Sequence, residues 1–165
     1  MADHEAIEEL ARALVAELTA SGKAVSTAES CTGGWIAKAI TDIPGSSAVF
    51  HYGIVSYSNG AKESLLGVHN DTLVKHGAVS EAVVVEMANG ALNLSGADIA
   101  IAVSGVAGPD GGSKEKPVGT VWFAWALRDG PRLKSETHCA HFDGDRDLVR
   151  ELTVAHALQG VRERI

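Results

Sequence analysis

Thr27-Ala28-Glu29-Ser30-Cys31-Thr32-Gly33-Gly34 stands between a short apolar run, Ala24-Val25-Ser26, and the helix-compatible Trp35-Ile36-Ala37-Lys38-Ala39-Ile40. A strand that passes into a helix through two glycines is a building unit of α/β layers. A serine at such a junction has its hydroxyl lifted out of the sheet. It lies beside the unpaired N–H groups that open a helix, which can stabilise an oxyanion or hold an anionic ligand. The same residue type at the same place also serves as a plain N-cap, so this stretch alone leaves both readings open.

The flanking pattern extends the α/β reading in both directions. Upstream, Ile7, Leu10, Ala11, Leu14, Val15 and Leu18 recur at three- and four-residue spacing, one face of a helix that Ser21-Gly22 stops. A strand is predicted over 24–28 and a helix to about Thr41, followed by a loop at Ile43-Pro44-Gly45-Ser46-Ser47. Val49 to Tyr57, rich in β-branched and aromatic residues, predicts a strand. A short helix carries Lys62, Leu65 and Leu66 to Gly67, and another covers Asn70 to His76. Ser80 caps a longer helix with Met87, Ala91 and Leu94 along one face, although its Val83-Val84-Val85 run is β-prone. Asp98 to Val103 is a continuous apolar run, as in a strand buried on both faces.

A Gly-rich loop, Ser104 to Pro117, comes next. Gly119–Leu127 and Leu133–His141 then form a hairpin around Asp129-Gly130-Pro131. Asp143-Gly144-Asp145 opens a last helix with Leu148, Leu152 and Ala155. The order predicts an α/β fold: a three-layer α/β/α sandwich with a mixed, mostly parallel sheet ending in an antiparallel hairpin, one domain over 1–165.

Composition narrows the function. With 165 residues, 45% of them hydrophobic, the chain can bury a substantial core. A formal net charge of −7 argues against a nucleic-acid surface, which needs clustered Lys and Arg. No segment approaches the roughly 20 apolar residues that span a bilayer. The acidic start and only two cysteines, Cys31 and Cys139, lead us to expect a cytoplasmic protein without disulfides.

Three further stretches join Ser30. Tyr57 ends a strand and Lys62 enters the following helix in Tyr57-Ser58-Asn59-Gly60-Ala61-Lys62, so both can point to the sheet edge that carries Ser30. A lysine withdrawn from water loses its proton more readily and can then accept one from a serine hydroxyl. The plainer alternative is a surface lysine and a tyrosine packed at the rim.

Ser104-Gly105-Val106-Ala107-Gly108-Pro109-Asp110-Gly111-Gly112 follows the most buried strand, where open α/β sheets place ligand crevices. Its glycines let backbone N–H groups approach a ligand, and it matches neither a P-loop nor GxGxxG. In Phe142-Asp143-Gly144-Asp145-Arg146 an aspartate caps the last helix, or Arg146 reaches a phosphate or carboxylate. His138-Cys139-Ala140-His141 superficially resembles a metal site. On a strand, however, residues three apart face opposite sides, so no metal is expected.

Taken together, Ala28–Gly34, Tyr57-Ser58-Asn59 with Lys62 and Leu65-Leu66-Gly67-Val68, and Ser104–Gly112 with Lys116-Pro117-Val118-Gly119-Thr120-Val121 resemble the CinA C-terminal domain family. Its characterised members are nicotinamide-nucleotide amidases. Some carry an additional N-terminal domain similar to molybdopterin-binding proteins, and this chain resembles the stand-alone form. The resemblance implies hydrolysis of the carboxamide of nicotinamide mononucleotide to nicotinic acid mononucleotide and ammonia, without cofactor, in a homo-oligomer, a dimer.

Carried over, it implies Ser30 as nucleophile, Lys62 as general base and Tyr57 as an aid to the proton path or to amide orientation. Thr32, Gly33 and Gly34 would line the substrate and oxyanion site. Asn59, Ser104, Gly105, Ala107, Gly108 and Arg146 complete the substrate contacts that the resemblance implies. Two rival readings stand beside it: a non-catalytic nucleotide-binding or competence-associated interaction domain, and a serine amidase for another small amide.

Overall fold

The computed structural model describes residues 3–165. Its elements are α1 (His4–Ser21), β1 (Val25–Glu29), α2 (Trp35–Thr41), a 3-10 turn (Ser46–Ala48), β2 (Phe50–Val55) and α3 (Asn59–Leu66). They continue with α4 (Asn70–His76), α5 (Glu81–Ser95), β3 (Ile99–Gly105), β4 (Thr120–Asp129), β5 (Arg132–His141) and α6 (Arg146–Arg162). The sheet order is β2-β1-β3-β4-β5. β1 pairs in parallel with β2 and β3, and β4 runs antiparallel to both β3 and β5. Only β4 therefore opposes the common strand direction, as the predicted mixed sandwich requires.

Side-chain size decides which helix packs where. Ile99, Ile101, Val103, Val121, Phe123 and Trp125 face one side of β3 and β4, in a core shared with α1, α2 and α6. Ala28, Ala100, Ala102, Ala124 and Ala126 face the other side, and α5 packs on this shallow floor. Large residues fill a wide interlayer space and small ones let a helix come close. Gly90 extends that close packing to α3, because a Cβ there would collide with the backbone carbonyl of Leu66.

Three expectations shift in detail. On α5 the buried stripe is Val83, Val84, Met87, Ala88, Ala91 and Leu92, while Leu94 is half exposed. The β-prone valines form helix because they pack on the alanine floor. On α6, Val149, Val154, Ala157, Leu158 and Val161 face the sheet, and Leu148, Leu152 and Ala155 lie at its flank. Two neighbouring stripes of that helix are apolar, so spacing alone does not select between them. Finally, Ser104 and Gly105 belong to β3, opposite Trp122 and Val121 on β4, so the Gly-rich loop starts at Val106. Among the described residues, no helix is long and apolar enough to cross a membrane.

Candidate active site

The parallel strands β2, β1 and β3 all deliver their carboxyl ends to one rim of the sheet, the place where such sheets bind ligands. Ser30 directly follows β1, and its N–H donates to Val103 O at 3.1 Å, so the turn that carries Ser30 is tied to the central strand. Across the rim, Ser56 N–H donates to Glu29 O at 2.9 Å and carries the chain from β2 into α3. Ser58 caps α3 by accepting the Ala61 N–H at 3.1 Å, which sets Lys62 one turn into the helix.

Lys62 points back into the rim and is only 1% exposed. Its Nζ lies 2.9 Å from Ser30 Oγ, 2.9 Å from Ser56 O and 3.0 Å from Tyr57 O. Both carbonyls can only accept, so they take two of the amine's hydrogens. The third direction, toward Ser30 Oγ, holds a proton in the ammonium form and a lone pair in the neutral amine. Among the described residues no carboxylate pairs with Nζ. Burial holds the Lys62 amine below its usual range. A neutral amine placed this way accepts a hydrogen bond from the Ser30 hydroxyl.

The neighbouring thiol is held in its unreactive, protonated form. Cys31 is buried, and burial followed by the nearby Glu29 charge pushes its thiol up to about 12. Glu29 is itself inaccessible to solvent. It accepts the Thr32 hydroxyl at 2.6 Å and the N–H groups of Ile36 and Ala37 at 2.8 and 3.0 Å. Burial nevertheless raises its carboxyl above the ordinary range.

This arrangement corrects one expectation. The N–H groups that open α2 hold no oxyanion, because Glu29 takes those of Ile36 and Ala37, and Trp35 N–H donates to Thr32 O at 3.2 Å. Among the described residues, the N–H groups of Cys31 and Thr32 find no hydrogen-bond acceptor in another residue. In the same turn Gly33 N–H donates to Ser30 O at 3.1 Å.

The remaining expected residues divide into three groups. Tyr57 reaches Lys62 through its backbone carbonyl. The residue is 59% exposed and its hydroxyl oxygen accepts from Arg146 Nη2 at 3.1 Å. Arg146 Nη1 donates to Gly108 O at 2.7 Å, so α6, the Gly-rich loop and the β2–α3 connection meet at one guanidinium. Beside it lies a cleft of about 390 Å³ walled by Gly108, Pro109, Val118, Asp145 and Asp147 as well as Arg146. Ala107 and Ser104 are buried, and Asn59 is exposed at the first position of α3. Thr32 turns its hydroxyl inward to Glu29 rather than to solvent. Gly33 and Gly34 adopt φ of 62° and 103°, conformations in which a side chain is strained.

Sequence reading missed Glu29 and Arg150 as parts of this site. Arg150 reaches across from α6 and donates from Nε to Cys31 O and from Nη2 to Thr32 O, both at 3.1 Å. Its place four residues after Arg146 puts both guanidiniums on one face of α6, the one signal that pointed to it. His138 stacks on His156 with ring centroids 4.8 Å apart, whereas His141 lies opposite Thr120 at the far end of β5.

The CinA C-terminal domain profile matches residues 7–165. The nicotinamide-nucleotide amidohydrolase PncC of Escherichia coli strain K12 is 61% identical over 142 residues, 86% of this chain and 84% of that protein. A protein of the same name from Pseudomonas putida is 58% identical over 137 residues, 83% of each chain. The crystal structure of the competence/damage inducible protein CihA from Agrobacterium tumefaciens superposes with a TM-score of 0.90 at 48% identity, covering 96% of this chain and 94% of that one. With the motifs around Ser30, Lys62 and Gly108 assembled at one sheet rim and matched over nearly the full length, the chain belongs to the CinA C-terminal domain family.

Proposed function

We propose that this protein is a nicotinamide-nucleotide amidase that hydrolyses the carboxamide of nicotinamide mononucleotide by a serine–lysine mechanism. The observation that carries the reading is the 2.9 Å contact between Ser30 Oγ and the buried Lys62 Nζ, an amine with no carboxylate partner among the described residues. The names of near relatives support the substrate.

An amide is a weak electrophile, so a positioned alkoxide equivalent has to replace water. Ser30 Oγ attacks the carboxamide carbon while its proton passes to Lys62 Nζ. The carbonyl oxygen becomes an oxyanion, held by the backbone N–H groups of Cys31 and Thr32. Lys62 then delivers the proton to the departing nitrogen, ammonia leaves, and a nicotinoyl ester remains on Ser30. Water attacks this ester as Lys62 takes the water proton. Collapse returns that proton to Ser30 and releases nicotinic acid mononucleotide. Arg146, at the cleft beside Gly108, serves the nucleotide's phosphate.

Purified protein incubated with nicotinamide mononucleotide releases ammonia on this account, and Ser30→Ala does not. Binding of the nucleotide, seen as raised thermal stability without ammonia, would instead favour a non-catalytic nucleotide-binding domain. Faster ammonia release from asparagine or plain nicotinamide would assign another amide.

A further inference from the structure

The nucleophile turn has a second exposed side, away from Lys62. Lys62 lies on α3, within the α5 layer, whereas α1, α2 and α6 form the opposite layer. There the backbone of Thr32, Gly33 and Gly34 floors a cleft of about 410 Å³ walled by His4, Trp35, Lys38 and Arg150. Ser30, Tyr57 and Lys62 contribute nothing to it.

The walls combine an aromatic face with positive charge. The Trp35 ring has the His4 ring at 5.5 Å and the Arg150 guanidinium carbon at 5.7 Å. Lys38 is paired with Asp42 at 2.6 Å, and His4 lies 3.4 Å from Glu151. Arg150 differs from both. Nε and Nη2 are committed to the Cys31 and Thr32 carbonyls, while Nη1 makes no hydrogen bond and no carboxylate pairs with the guanidinium among the described residues. An uncompensated cation in a chain of net charge −7 is a local exception that favours an anion. The bare glycine floor leaves room for it, since a Cβ on Gly33 would stand 3.4 Å from Arg150 Nη2.

We propose that this cleft is a second ligand site for a small aromatic anion, a flat ring carrying a carboxylate or phosphate. The ring stacks on the Trp35 indole, and the anion bonds to Arg150 Nη1 within reach of Lys38 Nζ. The volume falls in the range of small-molecule sites. Because Arg150 also holds the two carbonyls that follow Ser30, the occupant is coupled to the nucleophile turn. The proposal stands independently of the amidase reading.

The test is a titration of the full chain with phenyl phosphate to about 10 mM, followed by backbone and indole N–H resonances. The Gly33, Gly34 and Trp35 signals should move saturably. Inorganic phosphate and phenol, each half of the probe, should bind about fivefold to tenfold more weakly. Lys38→Ala, an exposed substitution that leaves the fold alone, should weaken the probe about threefold to fivefold. Trp35→Leu should weaken it at least as much. Shifts confined to Gly108 and Arg146, no saturable shift across the range, or affinity unchanged in both variants would overturn the proposal.

Discussion

Replacing Lys62 by methionine keeps an unbranched chain of similar length in the slot under α3 and removes the amine. In the wild-type protein that amine lies 2.9 Å from Ser30 Oγ, where the proposed mechanism uses it as the base. General-base catalysis contributes about 10²–10⁴ in rate, so kcat for nicotinamide mononucleotide should fall by that factor, about 2.7–5.4 kcal/mol of barrier. The fold should survive. Two carbonyls, Ser56 O and Tyr57 O, lose a donor at about 1–3 kcal/mol each if left unpaired, and relief of the buried amine offsets part of this loss.

The offset depends on pH in a defined direction. The folded Lys62 amine titrates below its ordinary 10.5, so between the two values the native state binds fewer protons than the unfolded one. Wild-type stability therefore rises with pH across that window, and the methionine variant lacks this rise. The variant compares best with wild type below the folded pKa and worst above 10.5. Ammonia release and urea unfolding, both measured across pH, read the two effects. A Lys62→Met protein that is folded and keeps more than about a tenth of wild-type turnover would refute the role of the amine.

Three further outcomes follow from individual contacts. Iodoacetamide at pH 8 should label Cys139 and spare Cys31, whose buried thiol is pushed up to about 12, and the labelled protein should stay active; intact mass showing two labels would contradict this. Gly90→Ala should lower stability by about 1–3 kcal/mol in urea unfolding, because its Cβ meets the Leu66 backbone, and an unchanged midpoint would contradict the α3–α5 packing. Arg146→Ala should raise KM for nicotinamide mononucleotide about tenfold while leaving nicotinamide riboside nearly unaffected, and equal effects on both would move the phosphate elsewhere.

Much of this fold could be read from periodicity. Continuous apolarity marked β3, the Asp129-Gly130-Pro131 turn marked the β4–β5 hairpin, and the Ser80 cap fixed the start of α5. Helix rotation was not legible: on α5 and α6 two adjacent apolar stripes compete, and only the sheet chooses between them, which is why Leu94 lies outside and Val149 inside. The Ser30–Lys62 pair was legible because strand ends and helix starts set both residues at one rim.

The orientation of the polar groups was harder to read. The hydroxyl of Thr32, the phenol of Tyr57 and the guanidinium of Arg150 all turn toward partners that tertiary packing supplies. Glu29 was hidden for a different reason. A carboxylate at the end of a buried strand reads as an anomaly until α2's N–H groups are seen to converge on it.

Everything rests on a Lys62 amine that is aimed at the Ser30 hydroxyl and that burial makes easier to deprotonate than an ordinary lysine. Titration of protein carrying ¹³C-labelled lysine, with the Lys62 signal assigned by its absence in Lys62→Met, measures this directly. The Lys62 side-chain resonance should titrate below the ordinary lysine value of 10.5. A Lys62 signal that titrates at or above 10.5 would contradict this.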